Sequence, residues 1–234
     1  MNVLLFIQNE AGRVITQVTE APVSETVATI NIWDLAIKGG WLMIPIALLL
    51  FIAVAILIER IFVIKSASKE DSTFMNRIKD YIHEGKIDSA INLCRSTDTP
   101  ISRMIEKGIS RLGRPMNDIL VAIENVGNIE IAKLEKGFPW VATAAAAAPM
   151  IGFLGTVTGM VRAFFAMANA GANVDITLLS SGIYEALVTT VAGLIVGIIA
   201  LLAYNYLVAQ VNRAVTKMET RSMEFMDLLN EPTK

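Results

Sequence analysis

Ala144–Ala168 reads AAAAAPMIGFLGTVTGMVRAFFAMA, and Ser181–Leu207 reads SGIYEALVTTVAGLIVGIIALLAYNYL. These two stretches, joined by NAGANVDITLLS (Asn169–Ser180), decide the fold. At about 1.5 Å per residue, each is long enough to cross a hydrocarbon core of about 30 Å. Neither has the composition of an inert anchor, which would be mostly Leu, Ile and Val. In the first, Ala148, Gly152, Gly155, Thr156, Gly159 and Ala163 recur at helical spacing, with a GxxxG pair at Gly155 and Gly159. In the second, Glu185, Thr189, Gly193 and Gly197 fall four apart, close to one face. Lipid gives apolar helices no hydrophobic reason to associate, so stripes of small residues that admit close backbone approach mark packed helices. A carboxylate in a span faces a cavity or a partner. The pair is therefore expected to sit in an assembly with polar groups on an inner surface.

Outward from this pair, composition agrees. The 234-residue chain is 54% hydrophobic and 18% charged, with mean hydropathy +0.55, which is membrane-class composition. Its net charge of −2 is uninformative because the charges are clustered, and no nucleic-acid partner is expected. One cysteine, Cys94, excludes an intramolecular disulfide. One histidine, His83, leaves no His-based metal site or catalytic dyad, so neither a metal nor a catalytic residue is assigned. No GxxxxGK[ST] motif occurs, and no organic cofactor is expected. Work done by this chain would draw on a gradient or a partner.

Trp41–Ile58 is eighteen residues without a charge, followed by Glu59, Arg60 and Ile61–Ile64, and reads as a further span. Pro45 sits near its start, where proline costs least, with Trp41 at one interface and Arg60 and Lys65 at the other. Ahead of it, Val27, Ile30, Trp33 and Ile37 recur at spacings of three or four, giving an amphipathic helix suited to the membrane plane. The apolar run VLLFI near the start is too short for a secretory h-region, so no cleaved signal is expected. Lys65–Lys136 is polar and helical in pattern, over Lys69–Glu84, Ile87–Arg95 and Ile101–Leu112. A long helix is expected from Pro115, running into the membrane and modified at Gly137, Pro139 and Pro149. Gln210–Leu229 continues the last span outward as a polar helix.

Lys and Arg set the orientation. Lys65–Lys136 holds twelve, the 169–180 loop none and the first 38 residues two. The expected organisation is an all-α protein with three transmembrane helices, the second and third extended into a cytoplasmic helical domain. Residues 1–39 form a periplasmic segment with the interfacial helix over 22–38; 40–64 is the first span; 65–137 is the cytoplasmic domain. The second span covers 138–168, a short outer loop 169–180, the third span 181–208, and a cytoplasmic C-terminal helix 209–234.

APMIGFLGTVTGM (Ala148–Met160) and GIYEALVTTVAGLIVGIIALLAYN (Gly182–Asn205) resemble the ExbB/TolQ/MotA proton-channel family, within it the ExbB and TolQ branch. The likeness rests on the proline ahead of the glycines, the LGTV run and the GI-x-EAL-x-x-T run. GKIDSAINLCRSTDTPISRMIEKGI (Gly85–Ile109) and KGGWLMIPIALLLFIAVAILIER (Lys38–Arg60) are similar to that branch too. The resemblance covers roughly residues 30–210. It implies a bacterial inner-membrane homopentamer whose second and third spans line a pore. That pore would hold two copies of a single-span ExbD- or TolR-like partner bearing a proton-binding aspartate. Proton flow would drive movement passed to a TonB- or TolA-like protein. Protons are the implied coupling ion, with sodium left open. The N-terminal extension leans to the ExbB side, TonB-dependent uptake, over the Tol-Pal envelope role.

Glu185 matches the glutamate of the family's EAL motif. It lies about 7–8 Å along the helix from Ser180. Enclosed among helices it is a group that can take up and release a proton; close to the interface it is equally a structural carboxylate, or a partner for Arg162. Thr156 and Thr190 match the family's pore-lining threonines, their hydroxyls able to donate and accept. Each could instead bond a carbonyl of its own helix. Thr189 competes with Thr190, because it lies one turn from Glu185 on the same face. Gly152, Gly155, Gly159, Gly193 and Gly197 read as packing residues, and a hinge role is the sharper alternative. A substrate transporter would show internal repeats and more spans, an intramembrane enzyme a nucleophile with its base. A purely structural membrane scaffold is the other class, and the matched polar residues weigh against it.

Overall fold

The computed structural model describes residues 39–67, 73–169 and 176–230. They form seven α-helices: α1 (Met43–Ala67), α2 (Phe74–His83), α3 (Ile87–Thr97), α4 (Pro100–Ile109), α5 (Met116–Leu134), α6 (Phe138–Asn169) and α7 (Ile176–Asn230). Three of them, α1, α6 and α7, are long and apolar enough to cross a membrane. The expected interfacial helix at 22–38 lies outside the described residues.

α7 organises the molecule. It runs unbroken for 55 residues, about 80 Å, far more than a bilayer core. The helix begins at Ile176, and its first part is long and apolar enough to span a membrane. Its last part is water-compatible, and Met218, Phe225 and Leu228 enter a core with Phe74, Ile78, Ile105, Ile109 and Ile123 from α2, α4 and α5. Side chains of this size contribute about 1.5–3 kcal/mol each on full burial. The small helical domain is thus built around the end of the third span.

The helices between the first two spans follow local signals. Thr99 caps α4 through a reciprocal capping box with Ser102, and Pro100 takes the first turn, where its missing N–H costs nothing. The long helix expected from Pro115 is broken. α5 ends at Leu134 and α6 starts at Phe138, with Gly137 between them at φ +91°. The left-handed backbone favours glycine there, and a Cβ would also crowd Ile56 at 3.2 Å. Pro149, by contrast, stays inside α6.

α1 packs a narrow stripe (Ile46, Ala53, Arg60 and Ile64) on α6 and α7 and exposes Ile44, Leu48, Phe51 and Phe62. Arg60 does more than mark an interface. It is 7% exposed, pairs with Glu59 and donates to the Lys133 carbonyl at 3.1 Å, tying the end of α1 to α5.

Candidate functional site

α6 and α7 meet along an antiparallel seam of small residues. A Cβ on Gly197 would meet the Pro149 ring at 2.5 Å and the Ala145 carbonyl at 3.2 Å. One on Gly193 would stand 3.0 Å from the Gly152 Cα, and one on Gly152 3.0 Å from the Thr189 carbonyl. One on Gly155 would stand 2.7 Å from the Thr189 Cβ, and one on Gly159 2.9 Å from that of Ala186. Partner numbers fall along α7 as they rise along α6, and the backbones are too close for any side chain between them. Gly197 opposite Pro149 also explains how a proline fits inside a span, since its ring fills the space a larger residue would take. Gly182 and Ala163 extend the stripe toward the loop, at 2.8 Å, beyond the five glycines singled out from sequence.

The polar candidates distribute along this seam in three ways. Thr189 is 2% exposed, wedged on Gly155, and its hydroxyl donates to the Ala186 carbonyl at 2.8 Å and the Glu185 carbonyl at 3.3 Å. Thr190 reaches across the seam and donates to the Gly152 carbonyl at 2.9 Å. Thr156 donates to the Phe153 carbonyl of its own helix at 2.7 Å and lines an apolar cleft with Val157, Met160, Val161, Phe164 and Phe165. Thr190 and Thr156 therefore sit one turn apart in depth, but only Thr190 joins two helices.

Glu185 and Arg162 line one cavity of about 670 Å³ near the loop ends of α6 and α7, with Ser180, Ser181 and Tyr184. Among the described residues no ion pair joins them. The Glu185 carboxylate instead abuts the backbone of Gly40, just ahead of α1. Sequence reasoning did not pick out Gly40, although the Gly39-Gly40 dipeptide is a turn signal.

A second polar centre lies beyond the opposite ends of the spans. Glu130 of α5 is buried, its side chain 4% exposed, and accepts from Arg103 and Lys133, each at 2.6 Å. Arg103 also pairs with Asp98, the one described non-glycine residue at positive φ. Burial alone would raise the Glu130 carboxyl, but hydrogen bonds and charge from Arg103 and Lys133 outweigh it and hold it below the usual carboxylate range. Burial and then the charge of Glu106 push the Cys94 thiol up to about 12, an inert core sulfur.

Residues 96–220, from the end of α3 far into α7, match the MotA/TolQ/ExbB proton channel family. The chain belongs to that family. It is similar to the Tol-Pal system protein TolQ of Haemophilus influenzae, 30% identical over 200 residues, covering 79% of this chain and 87% of that protein. It is similar to the biopolymer transport protein ExbB of Neisseria gonorrhoeae, 30% identical over 174 residues, covering 68% and 75%. An ExbB-like biopolymer transport protein of Synechocystis sp. is 29% identical over 183 residues, covering 77% and 72%. The relatives place the chain in the ExbB/TolQ branch, a group of membrane proton-channel proteins. The matched region takes in the entire seam, Glu185, the three threonines and the Glu130 cluster.

Proposed function

We propose that this chain is the ring-forming subunit of an inner-membrane energiser. With an ExbD-like single-span partner it converts the proton motive force into mechanical work for TonB-dependent transport across the outer membrane. The observation that carries the reading is the family match over residues 96–220, which contains α6 and all of the α6–α7 seam. Five copies enclose two partner helices, and the partner's aspartate exchanges protons with a lining to which Glu185, Thr156 and Thr190 contribute. The N-terminus is periplasmic and the α2–α5 domain cytoplasmic, in keeping with the Lys and Arg distribution. The proton is the only transported species the reading needs; no cofactor takes part.

A Tol-Pal role is the second reading, favoured by the extent of the likeness to the Haemophilus TolQ, which reaches 87% of that protein. Both readings share the pore. The test is the native mass of the detergent-extracted complex, with and without a co-expressed single-span partner, followed by ion flux in liposomes. Five copies plus two, with flux driven by a pH gradient and abolished in Glu185→Gln, is the expected result. A stable monomer that ignores the partner would overturn the pore, and flux that follows only a sodium gradient would overturn the choice of ion. Pull-down of a TolA-like rather than a TonB-like protein would move the chain to the second reading.

A further inference from the structure

The contact between Glu185 and Gly40 has no place in the family match, which begins at residue 96. Gly40 ends the approach to α1: its carbonyl accepts from the Met43 N–H at 3.2 Å, and its φ is +67°. A Cβ built on it would collide with the Glu185 Oε1 and stand 3.2 Å from the carboxylate carbon. The left-handed backbone favours glycine, and any Cβ there would push the flexible end of Glu185 from the place it occupies. Asn or Asp would accept the φ, yet their Cβ would still meet the carboxylate. The neighbourhood suits an acid. The Met43 and Ile44 N–H groups already bond to the Gly40 and Trp41 carbonyls, so what the start of α1 offers a carboxylate is the positive end of the helix dipole. α1 brings such a start to the side of α7 on which Glu185 sits.

We propose that Gly40 is a positioning residue for Glu185: its bare backbone seats the carboxylate against the start of α1 and so couples the first span to the polar group of the third. This rests on the proton-handling reading of Glu185. Without the seat the carboxylate is displaced into the cavity it shares with Arg162, where it can pair with the guanidinium.

Gly85 supplies the control. Its φ is +70°, nearly that of Gly40, and nothing lies within 4 Å of a Cβ built there. Gly85→Ala therefore reads the backbone strain alone, and Gly40→Ala the strain plus the collision. The experiment compares Gly40→Ala, Gly85→Ala, Glu185→Asp and the double variant Gly40→Ala/Glu185→Asp. Each is co-expressed with the single-span partner, and proton flux in liposomes and melting temperature are both read. Gly85→Ala should keep flux within about twofold, while Gly40→Ala should lose about tenfold or more. Glu185→Asp withdraws the carboxylate by one methylene and removes the collision, so adding Gly40→Ala to it should cost no more in flux or melting temperature than the strain that Gly85→Ala reads. Losses that multiply in flux and add in melting temperature would overturn the proposal. Equal losses in Gly40→Ala and Gly85→Ala would overturn it too. Where both single variants abolish flux, the melting-temperature cycle alone decides. Full flux in Glu185→Gln would instead remove the proton-handling reading and leave the seating contact to be judged by that cycle, so the two failures are distinguishable.

Discussion

The α6–α7 seam and the bundle core around Phe225 hold helices together by opposite means. In the seam, Gly152, Gly155, Gly159 and Gly193 bring backbones within reach of one another, and Thr190 adds a hydrogen bond across to the Gly152 carbonyl. In the bundle, Ile78, Ile105, Ile123 and Phe225 are wholly enclosed. Water makes large apolar side chains cohere, because burying their surface is favourable. Lipid offers no such gain, so contact must come from close van der Waals approach and polar links. α7 belongs to both regions, and its residue types change from small to large where the surroundings change from hydrocarbon to water.

The comparison can be broken most severely at Gly155. Gly155→Leu places a branched side chain where even a Cβ would stand 2.7 Å from that of Thr189, so α6 and α7 must part. A loss above about 4 kcal/mol is expected, read as absence of monodisperse protein on size exclusion after extraction. Normal recovery would show that the seam is not close-packed. Phe225→Ala is the matching cut in the bundle. Its ring lies over Gly108, where a Cβ would stand 2.6 Å from it, so truncation leaves a void. The expected cost is about 3–4 kcal/mol with membrane insertion retained, measured by thermal unfolding and by protease cleavage confined to the α2–α5 region.

A smaller effect separates charge from packing. Glu130→Gln keeps shape but leaves Arg103 and Lys133 without their acceptor charge. Both cations are partly exposed and can turn to water, which limits the expected cost to about 1–3 kcal/mol. The folded carboxyl titrates below its unfolded value, so its contribution is fully present above about pH 4.3 and is lost as pH falls through the depressed folded value. Melting temperature against pH should therefore drop more steeply on acidification in wild type than in Glu130→Gln; parallel curves would contradict the assignment. The smallest effect is Thr190→Val, which removes the donor to the Gly152 carbonyl at nearly constant volume. About 0.6–1 kcal/mol is expected, seen as a small fall in melting temperature. No change would mean that the seam is held by shape alone.

Much of the seam was legible in advance. Glycines and alanines at helical spacing point to one face whatever the partner, so the stripes at 148–163 and 185–197 could be read without coordinates. Three apolar stretches of sufficient length gave three helices for the same reason. Less was legible where two signals competed. Periodicity gives one long helix from Pro115, modified at Gly137, Pro139 and Pro149; the structure makes a full break at the left-handed Gly137, beside an Ile56 that is 81 positions away, and leaves Pro139 and Pro149 inside α6. Arg60 reads as a charge at an interface, yet its place against the Lys133 carbonyl depends on how α1 meets α5.

Local chemistry by itself determined the helical class, the three apolar spans, the small-residue faces and the polar candidates, because each depends on residues within a few turns of one helix. The tertiary structure decided how those candidates are used. It set Thr190 across the seam and Thr156 on its own helix, enclosed Glu130 between two cations, and turned Glu185 toward Gly40. Each of these outcomes depends on which helix lies opposite and at what depth. Periodicity along one strand of sequence carries the direction of a side chain but not the identity of what it meets.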